Sequence, residues 1–289
     1  MKKSTQEKHT KIANDIMYYI YRYVDTEINL DELSNDLNIS KFHMHRIFKK
    51  EFSANIYESI KDIRLQKASN LLLTNRATTI TKIANLCGYS SHTSFIKAFK
   101  EKFCMTPSAW RSGEYKEYVA KILSSSLTAT HSNVKFDTLD ATIVKREEIK
   151  VSYIRHHGYN NSIKKSWQKL QVWIYSNDIK EYEEIGLHHD NPTITPLDKC
   201  KYIACVTTNE LQKSSKLPTL IIPSGVYARF DFTGSYGDVL RFMNWVYFEW
   251  LPQSEYETTT NPPYAIYHKN HFISDDARFD ISYYIPIRL

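Results

Sequence analysis

The chain has 289 residues, 38 Lys and Arg against 32 Asp and Glu, and a formal net charge of +6. That length suggests about two domains, each able to bury a core of its own. No apolar run approaches the ~20 residues that cross a bilayer, and Met1-Lys-Lys-Ser-Thr-Gln-Glu-Lys-His9 lacks the apolar stretch of a signal peptide, so a cytoplasmic protein with no membrane partner is expected.

Charge is unevenly spread. Residues 1–121 hold 20 Lys and Arg against 13 Asp and Glu, and the remainder hold 18 against 19. The basic excess is N-terminal, as expected if only that part meets phosphate. The same part contains a repeat. Phe48-Lys-Lys-Glu-Phe52 returns 51 residues later as Phe99-Lys-Glu-Lys-Phe103. Upstream, Leu30–Phe48 and Thr79–Phe99 each read as helix, break and second basic helix. The breaks are at Asn38-Ile39-Ser40 and Gly88-Tyr89-Ser90. An internal repeat means that one supersecondary unit is used twice, and here the unit is a helix-turn-helix, whose second helix can enter a major groove.

At 100° per residue, Met44, Ile47 and Phe48 share the inner face of the first such helix, and Phe95, Ala98 and Phe99 that of the second. The outward residues Lys41, Phe42, His45, Arg46 and Lys49 align with His92, Thr93, Ile96, Lys97 and Lys100. Both outer faces are basic, which points to DNA contact. With Ser40 and Ser91 at the helix starts, these are the candidate DNA-binding residues.

Ser40-Lys-Phe-His-Met-His-Arg46-Ile-Phe-Lys49, Ile83-Ala-Asn-Leu-Cys-Gly88-Tyr89 with Phe95–Lys100, and Thr106-Pro-Ser-Ala-Trp110-Arg111 resemble the two helix-turn-helix units and closing signature of the AraC/XylS transcription activators, of the Rob, MarA and SoxS type. The resemblance implies binding to double-stranded DNA as a monomer through two helices, with RNA polymerase as a further partner. The two helices would be joined by a long one, which residues 55–73, with Ile56, Ile60, Ile63, Ala68, Leu71 and Leu72, would supply.

The expected boundaries are 8–112 for the all-α DNA-binding domain, 113–134 for a polar linker, and 135–289 for a second domain. In that domain β-branched and aromatic strands fall at Ile149–Arg155, Tyr202–Thr207, Val226–Phe232, Tyr264–His268 and Asp280–Ile287. Helices at Ser162–Ser176 and Tyr236–Trp250 interrupt them. This is an α+β pattern. Its two halves echo one another, predicting two βαββ repeats around a central groove.

Tyr153-Ile-Arg-His-His-Gly158-Tyr159, Asp190-Asn-Pro192, Ile222-Pro-Ser-Gly225-Val-Tyr-Ala228, Gly234-Ser-Tyr236, Trp250-Leu-Pro-Gln-Ser254 and Ile285-Pro-Ile287 resemble the gyrase-inhibitor-like effector domain. That resemblance implies a pocket for small, often cationic, amphipathic compounds. Such a site needs aromatic faces and a carboxylate. The candidates are Tyr159, Trp167, Trp173, Tyr182, Tyr227, Phe230, Trp245 and Tyr284, with Glu249 or Glu183 as the acid. Where the family often carries a Glu, Pro262-Pro-Tyr-Ala265-Ile-Tyr267 has Ala265, which favours a neutral ligand or an acid placed elsewhere. The alternatives are an enzyme that hydrolyses small electrophiles and a protein-interaction module of gyrase-inhibitor type.

Cys87 and Cys104 fall within helix patterns and are expected to be buried thiols; Cys200 and Cys205 should point to opposite faces of a strand. His156-His157 and His188-His189-Asp190 lack ligand spacing, so neither a metal nor a cofactor is expected.

Overall fold

The computed structural model describes residues 3–125, 134–207 and 217–289. Its N-terminal part is helical: α1 (Lys3–Arg22), α2 (Leu30–Asp36), α3 (Lys41–Phe52), α4 (Ile56–Thr74), α5 (Ile80–Leu86), α6 (His92–Phe103), α7 (Pro107–Ala109) and α8 (Tyr115–Ser125). A π turn, Trp110–Glu114, joins the last two.

The repeat runs from cap to cap. Ser40 and Ser91 are the N-caps of α3 and α6, accepting from the backbone N–H of His43 and Ser94. Ser53 and Cys104 close the same helices in the left-handed region, at φ 55° and 59°. Asn55 and Thr106 then cap α4 and α7. Each cap satisfies backbone donors or acceptors that a helix end leaves free. Cys104 is therefore exposed rather than buried, because its place is a helix terminus and not a helix face. Both turns need a left-handed residue. Asn38 supplies it in the first, at φ 51°. Gly88 supplies it in the second, at φ 76°, where a Cβ would stand 2.5 Å from the Val24 carbonyl oxygen.

Met44, Ile47 and Phe48 are buried with α1 in one core; Phe95 and Phe99 are buried with Trp110 and the second half of α4 in another, with Ala98 partly buried there. The closing signature is anchored by Trp110, whose indole N–H donates to the Ser69 carbonyl at 3.0 Å. Of the stretch expected to be linker, Tyr115–Ser125 is helix α8, with Val119 and Ile122 buried. Their three-residue spacing makes an apolar stripe within a polar sequence. Residues 126–133 lie outside the described residues.

The C-terminal part comprises β1 (Thr142–Arg146), β2 (Ile149–His157), α9 (Ile163–Ser176), β3 (Glu184–His188), β4 (Lys201–Thr207), β5 (Thr219–Ile222), β6 (Gly225–Ser235), α10 (Asp238–Trp245), α11 (Leu251–Gln253), β7 (Glu257–Thr258), β8 (Tyr264–Lys269) and β9 (Arg278–Arg288). The antiparallel sheet runs β1-β6-β9-β8-β3-β4-β2-β5, with β7 added beside β9. The βαββ units are β2-α9-β3-β4 and β6-α10-β8-β9. They meet where β3 pairs with β8, Gly186 opposite Ala265. The strand that enters each unit crosses to the other: β1 pairs with β6, and β5 with β2. Five of these strands are expected from sequence; β1, β3, β5 and β7 are short and carry weaker patterns.

One sheet face packs beneath α9 and α10 in a core that includes Trp167, Leu170, Tyr202, Ala204, Phe230, Phe242 and Tyr283. On the other face lie Val151, Tyr153, Ile185, Ile203, Tyr227, Tyr264 and Tyr284, with Tyr18 of α1 against them. Cys200 and Cys205 fall in the two different cores, as strand alternation requires.

Candidate DNA-reading helices and effector groove

On α3, Phe42, Arg46 and Lys49 are exposed, and Lys41 and His45 are half-buried. Phe42 is 77% exposed, a large apolar side chain left in water beside basic neighbours. Arg46 donates an Nη2–H to His43 Nδ1 at 2.9 Å. Burial and that guanidinium lower the His43 pKa, which favours the neutral ring that can accept this bond. Lys41 pairs with Asp31 at 2.8 Å, which ties α3 to α2. His45 lies over the Tyr57 ring at 5.7 Å. On α6, Ser91, His92, Thr93, Lys97 and Lys100 are exposed, while Ile96 is half-buried against the second core. His43 and Tyr57 are additions to the sequence-derived set; both are visible only as partners of Arg46 and His45.

The helix α4 fixes the second reader: Lys61 pairs with Glu101 at 2.6 Å, and Lys102 pairs with Asp62. The carboxylates of the reading helices are thus occupied away from the basic face, Glu51 by the Thr10 hydroxyl at 3.0 Å and Glu101 by Lys61.

The candidate effector residues divide between the two faces of the sheet. Tyr159 and Trp167 are buried on the helix side near the meeting of the two βαββ units. Trp167 Nε1–H donates to the Tyr202 hydroxyl at 3.2 Å, and Tyr202 and Tyr267 hydroxyls are 3.3 Å apart. Trp173 and Tyr182 are half-buried beside this group, whereas Phe230 is core beneath α10 and meets the half-buried Trp245 at the end of that helix. Tyr227 and Tyr284 lie on the opposite face, around Tyr264, with Arg146 over the Tyr284 ring at 5.2 Å. They are one residue out of phase with Ala228 and Tyr283, and strand alternation sends them away from the groove.

Glu249 is exposed on a π turn and Glu183 is exposed on its loop. The acid on the helix side is Glu184, in register with Tyr267 and two residues before Gly186. Burial raises its pKa, and the Asn270 amide donating at 2.8 Å partly offsets the rise. Ala265 is fully buried on the same face. Glu184 is therefore its diagonal neighbour across the central strand pair. Gly186 keeps the floor low: a Cβ there would stand 2.6 Å from the Tyr202 hydroxyl. The centre of the expected groove is filled by tyrosine and tryptophan rings, with an open cleft of about 560 Å³ at its Glu184 end, lined also by Tyr182, Tyr267 and Asn270.

Two neighbouring groups are neutralised by burial. His188, which meets the Tyr283 hydroxyl at 3.2 Å, has its pKa pushed down to about 3, and His271 is pushed down to about 4. Among the described residues Glu184 forms no ion pair, and its side-chain hydrogen bond is to Asn270.

The C-terminal part and the helical part are joined at several points. Asn75, just beyond α4, exchanges hydrogen bonds with the Thr258 backbone: Nδ2 donates to the carbonyl at 2.9 Å, and Oδ1 accepts from the N–H at 3.0 Å. Glu257 accepts from Thr78 N–H at 3.2 Å and from Arg288 of β9 at 2.9 Å. Thr78 immediately precedes the N-cap of α5. One strand of the effector domain therefore reaches the second helix-turn-helix through two side chains.

Residues 140–288 match the family model of the GyrI-like small molecule binding domain, and residues 33–113 match that of a helix-turn-helix domain. The chain belongs to the GyrI-like family. Ahead of that domain it carries the helix-turn-helix region of AraC-type transcription regulators. The transposon Tn10 TetD protein of Escherichia coli is 33% identical over 113 residues, 39% of this chain and 80% of that protein. The regulatory protein SoxS of Escherichia coli K12 is 30% identical over 103 residues, 36% of this chain and 95% of that one. The Msm operon regulatory protein of Streptococcus mutans is 32% identical over 99 residues, and the match spans 35% of its length. All three likenesses are confined to about a third of this GyrI-like chain.

Proposed function

We propose that this chain is a sequence-specific transcription activator whose C-terminal domain senses a small amphipathic compound. The observation that carries the reading is the pair of basic helices, α3 and α6, capped alike and held by one connecting helix. One molecule then has what is needed to read two successive major grooves from one side, with centres about 34 Å apart. Arg46 is suited to guanine, Phe42 and Ile96 to thymine methyls, and Lys49 and Lys100 to phosphate. RNA polymerase is the expected partner once DNA is bound.

The effector reading rests on Glu184. A half-buried carboxylate among Tyr182, Tyr267 and Trp167 favours a flat cation, which supplies the missing counter-charge while the rings supply cation–π contact. Its hydrogen bond to Asn270 and the regulatory names of the relatives support a sensor rather than a hydrolase. Gel-shift titration on an operator selected from random DNA tests the first part. A one-to-one complex is expected, and a two-to-one complex on the minimal site would refute the monomer. Binding of a cationic dye, compared with its neutral analogue, tests the second.

A further inference from the structure

A sizeable cavity lies outside the groove. It is a cleft of about 980 Å³ on the opposite face of the sheet, between α1, the end of α3 and the start of α4 on one side and β2 with Lys199 and Lys201 on the other. Apolar Met17, Phe52, Leu217 and Pro218 line it, and at the sheet it reaches Arg155 and Lys201.

The Arg155 side chain is unusually placed. Its Nε–H donates to Asn14 Oδ1 at 3.3 Å, but Nη1 and Nη2 are buried with no well-formed hydrogen bond among the described residues, although the Tyr153 hydroxyl stands beside the guanidinium. Around the guanidinium stand the rings of Tyr153, Tyr21 and Phe52, at 5.5, 5.8 and 6.0 Å. The Tyr21 hydroxyl is likewise buried without a partner. Lys201 emerges on the same sheet face, because Arg155 pairs with Ile203 and His157 with Lys201. Its ammonium is 3.6 Å from Asp190, whose Oδ2 already accepts the Lys201 backbone N–H at 2.8 Å. Asp62, the other acid at this end of the cleft, is paired with Lys102. Arg155, the ion-paired Lys201 and an unpartnered hydroxyl thus converge beside Asp190 and Asp62, both engaged, while of the other acids lining the cleft Glu51 accepts from the Thr10 hydroxyl, Glu58 caps α4 and Glu7 lies on α1. A buried guanidinium with unmade hydrogen bonds is costly, and the bidentate partner it fits best is a carboxylate.

We infer that the interdomain cleft is a second effector site, for a small amphipathic carboxylate whose head is held by Arg155 and Lys201 and whose apolar body lies along Met17, Phe52 and Leu217. The half-buried Phe52 ring must turn aside for the head to reach the guanidinium. Phe52 ends α3, so occupancy acts directly on the first reading helix. This site is independent of the groove, since Arg155 and Glu184 lie on opposite faces of the sheet.

The test is calorimetric titration of the full chain with octanoate, octylammonium and octanol. Octanoate is expected to bind and the other two at least about tenfold more weakly. Arg155→Met should weaken octanoate by at least about tenfold, and Arg155→Lys should recover part of the loss. If Arg155→Met does not fold, Lys201→Gln is measured instead, with a loss of several-fold expected. Octanol binding as tightly as octanoate, undiminished octanoate binding in the folded variant, or no octanoate binding up to about 10 mM would each overturn the assignment.

Discussion

The two helix-turn-helix units share caps, turns and reading faces, yet they meet the effector domain differently. The second is joined through a closed network: Asn75 on Thr258, Thr78 on Glu257, Tyr115 stacked on Phe248 at 5.6 Å, and Ile194 buried in the same core as Phe99. The first meets it across an open cleft, where α1 carries most of the polar contact through Asn14 and through Tyr18, whose hydroxyl accepts from Ile221 N–H at 3.2 Å. Sequence repeats thus need not have equivalent mechanical roles. A packed, hydrogen-bonded contact holds its partner as one body, whereas a contact built around a cavity leaves room for displacement. On this comparison the second unit is the fixed point and the first is the one with room to shift.

The sharpest way to break the comparison is Asn75→Ala. The change leaves the buried Thr258 N–H and carbonyl without their partners, and about 3 kcal/mol of stability should be lost in urea unfolding. Asn14→Ala, the matching change at the first unit, should cost about 1 kcal/mol, because the side-chain bonds it removes, from the Tyr153 hydroxyl and Arg155 Nε to Oδ1, are long, at 3.4 and 3.3 Å. Equal losses would remove the distinction.

For DNA, Arg46→Ala should cost about 2 kcal/mol on the selected operator and relax preference at one base pair. Lys49→Ala and Lys100→Ala should weaken all sequences alike and lower the salt slope by about one. Wild-type binding by Arg46→Ala in a gel shift would mean that α3 is not a base reader.

The caps give a smaller contrast. Ser40→Ala and Ser91→Ala should each cost about 1 kcal/mol by thermal unfolding, since each removes an equivalent acceptor. A large difference would show that the cap of one unit carries tertiary strain that the other lacks.

Glu184→Gln should have the smallest effect on stability and the most informative one on ligand. Burial raises the Glu184 pKa above its ordinary value of 4.5, so the folded state favours the protonated acid. Its contribution is fully present below the ordinary value and is lost as pH rises through the raised one. The variant should therefore melt higher than wild type at neutral pH, with the gap closing toward pH 4. Affinity for a cationic dye should rise with pH through the same window in wild type and stay flat in the variant. A pH-independent melting difference would place the titrating group elsewhere.

Much of this was legible because it is local. Helix period, caps and the recurring Phe-x-x-x-Phe step expose the double helix-turn-helix, since each depends on residues within a few positions of one another. Strand alternation likewise separates Cys200 from Cys205. The effector candidates rest on residue type with no strand phase, so Tyr227 and Tyr284 fall on the sheet face opposite Trp167, and Glu184 rather than Glu183 shares the face of Ala265. Helix α8 was hidden by its polar surface, and Cys104 by lying at a helix end.

By itself, the sequence determined the two architectures, the basic reading faces and the order of the βαββ halves, all encoded in short-range periodicity. Only the tertiary structure decided which sheet face meets the DNA-binding part, that aromatic rings fill the groove, and that Asn14, Phe52 and Arg155 surround one cleft. Those residues are separated by 38 to 141 positions. No periodicity links them; they meet because α1 and the end of α3 pack over the face of the sheet that its own helices leave uncovered.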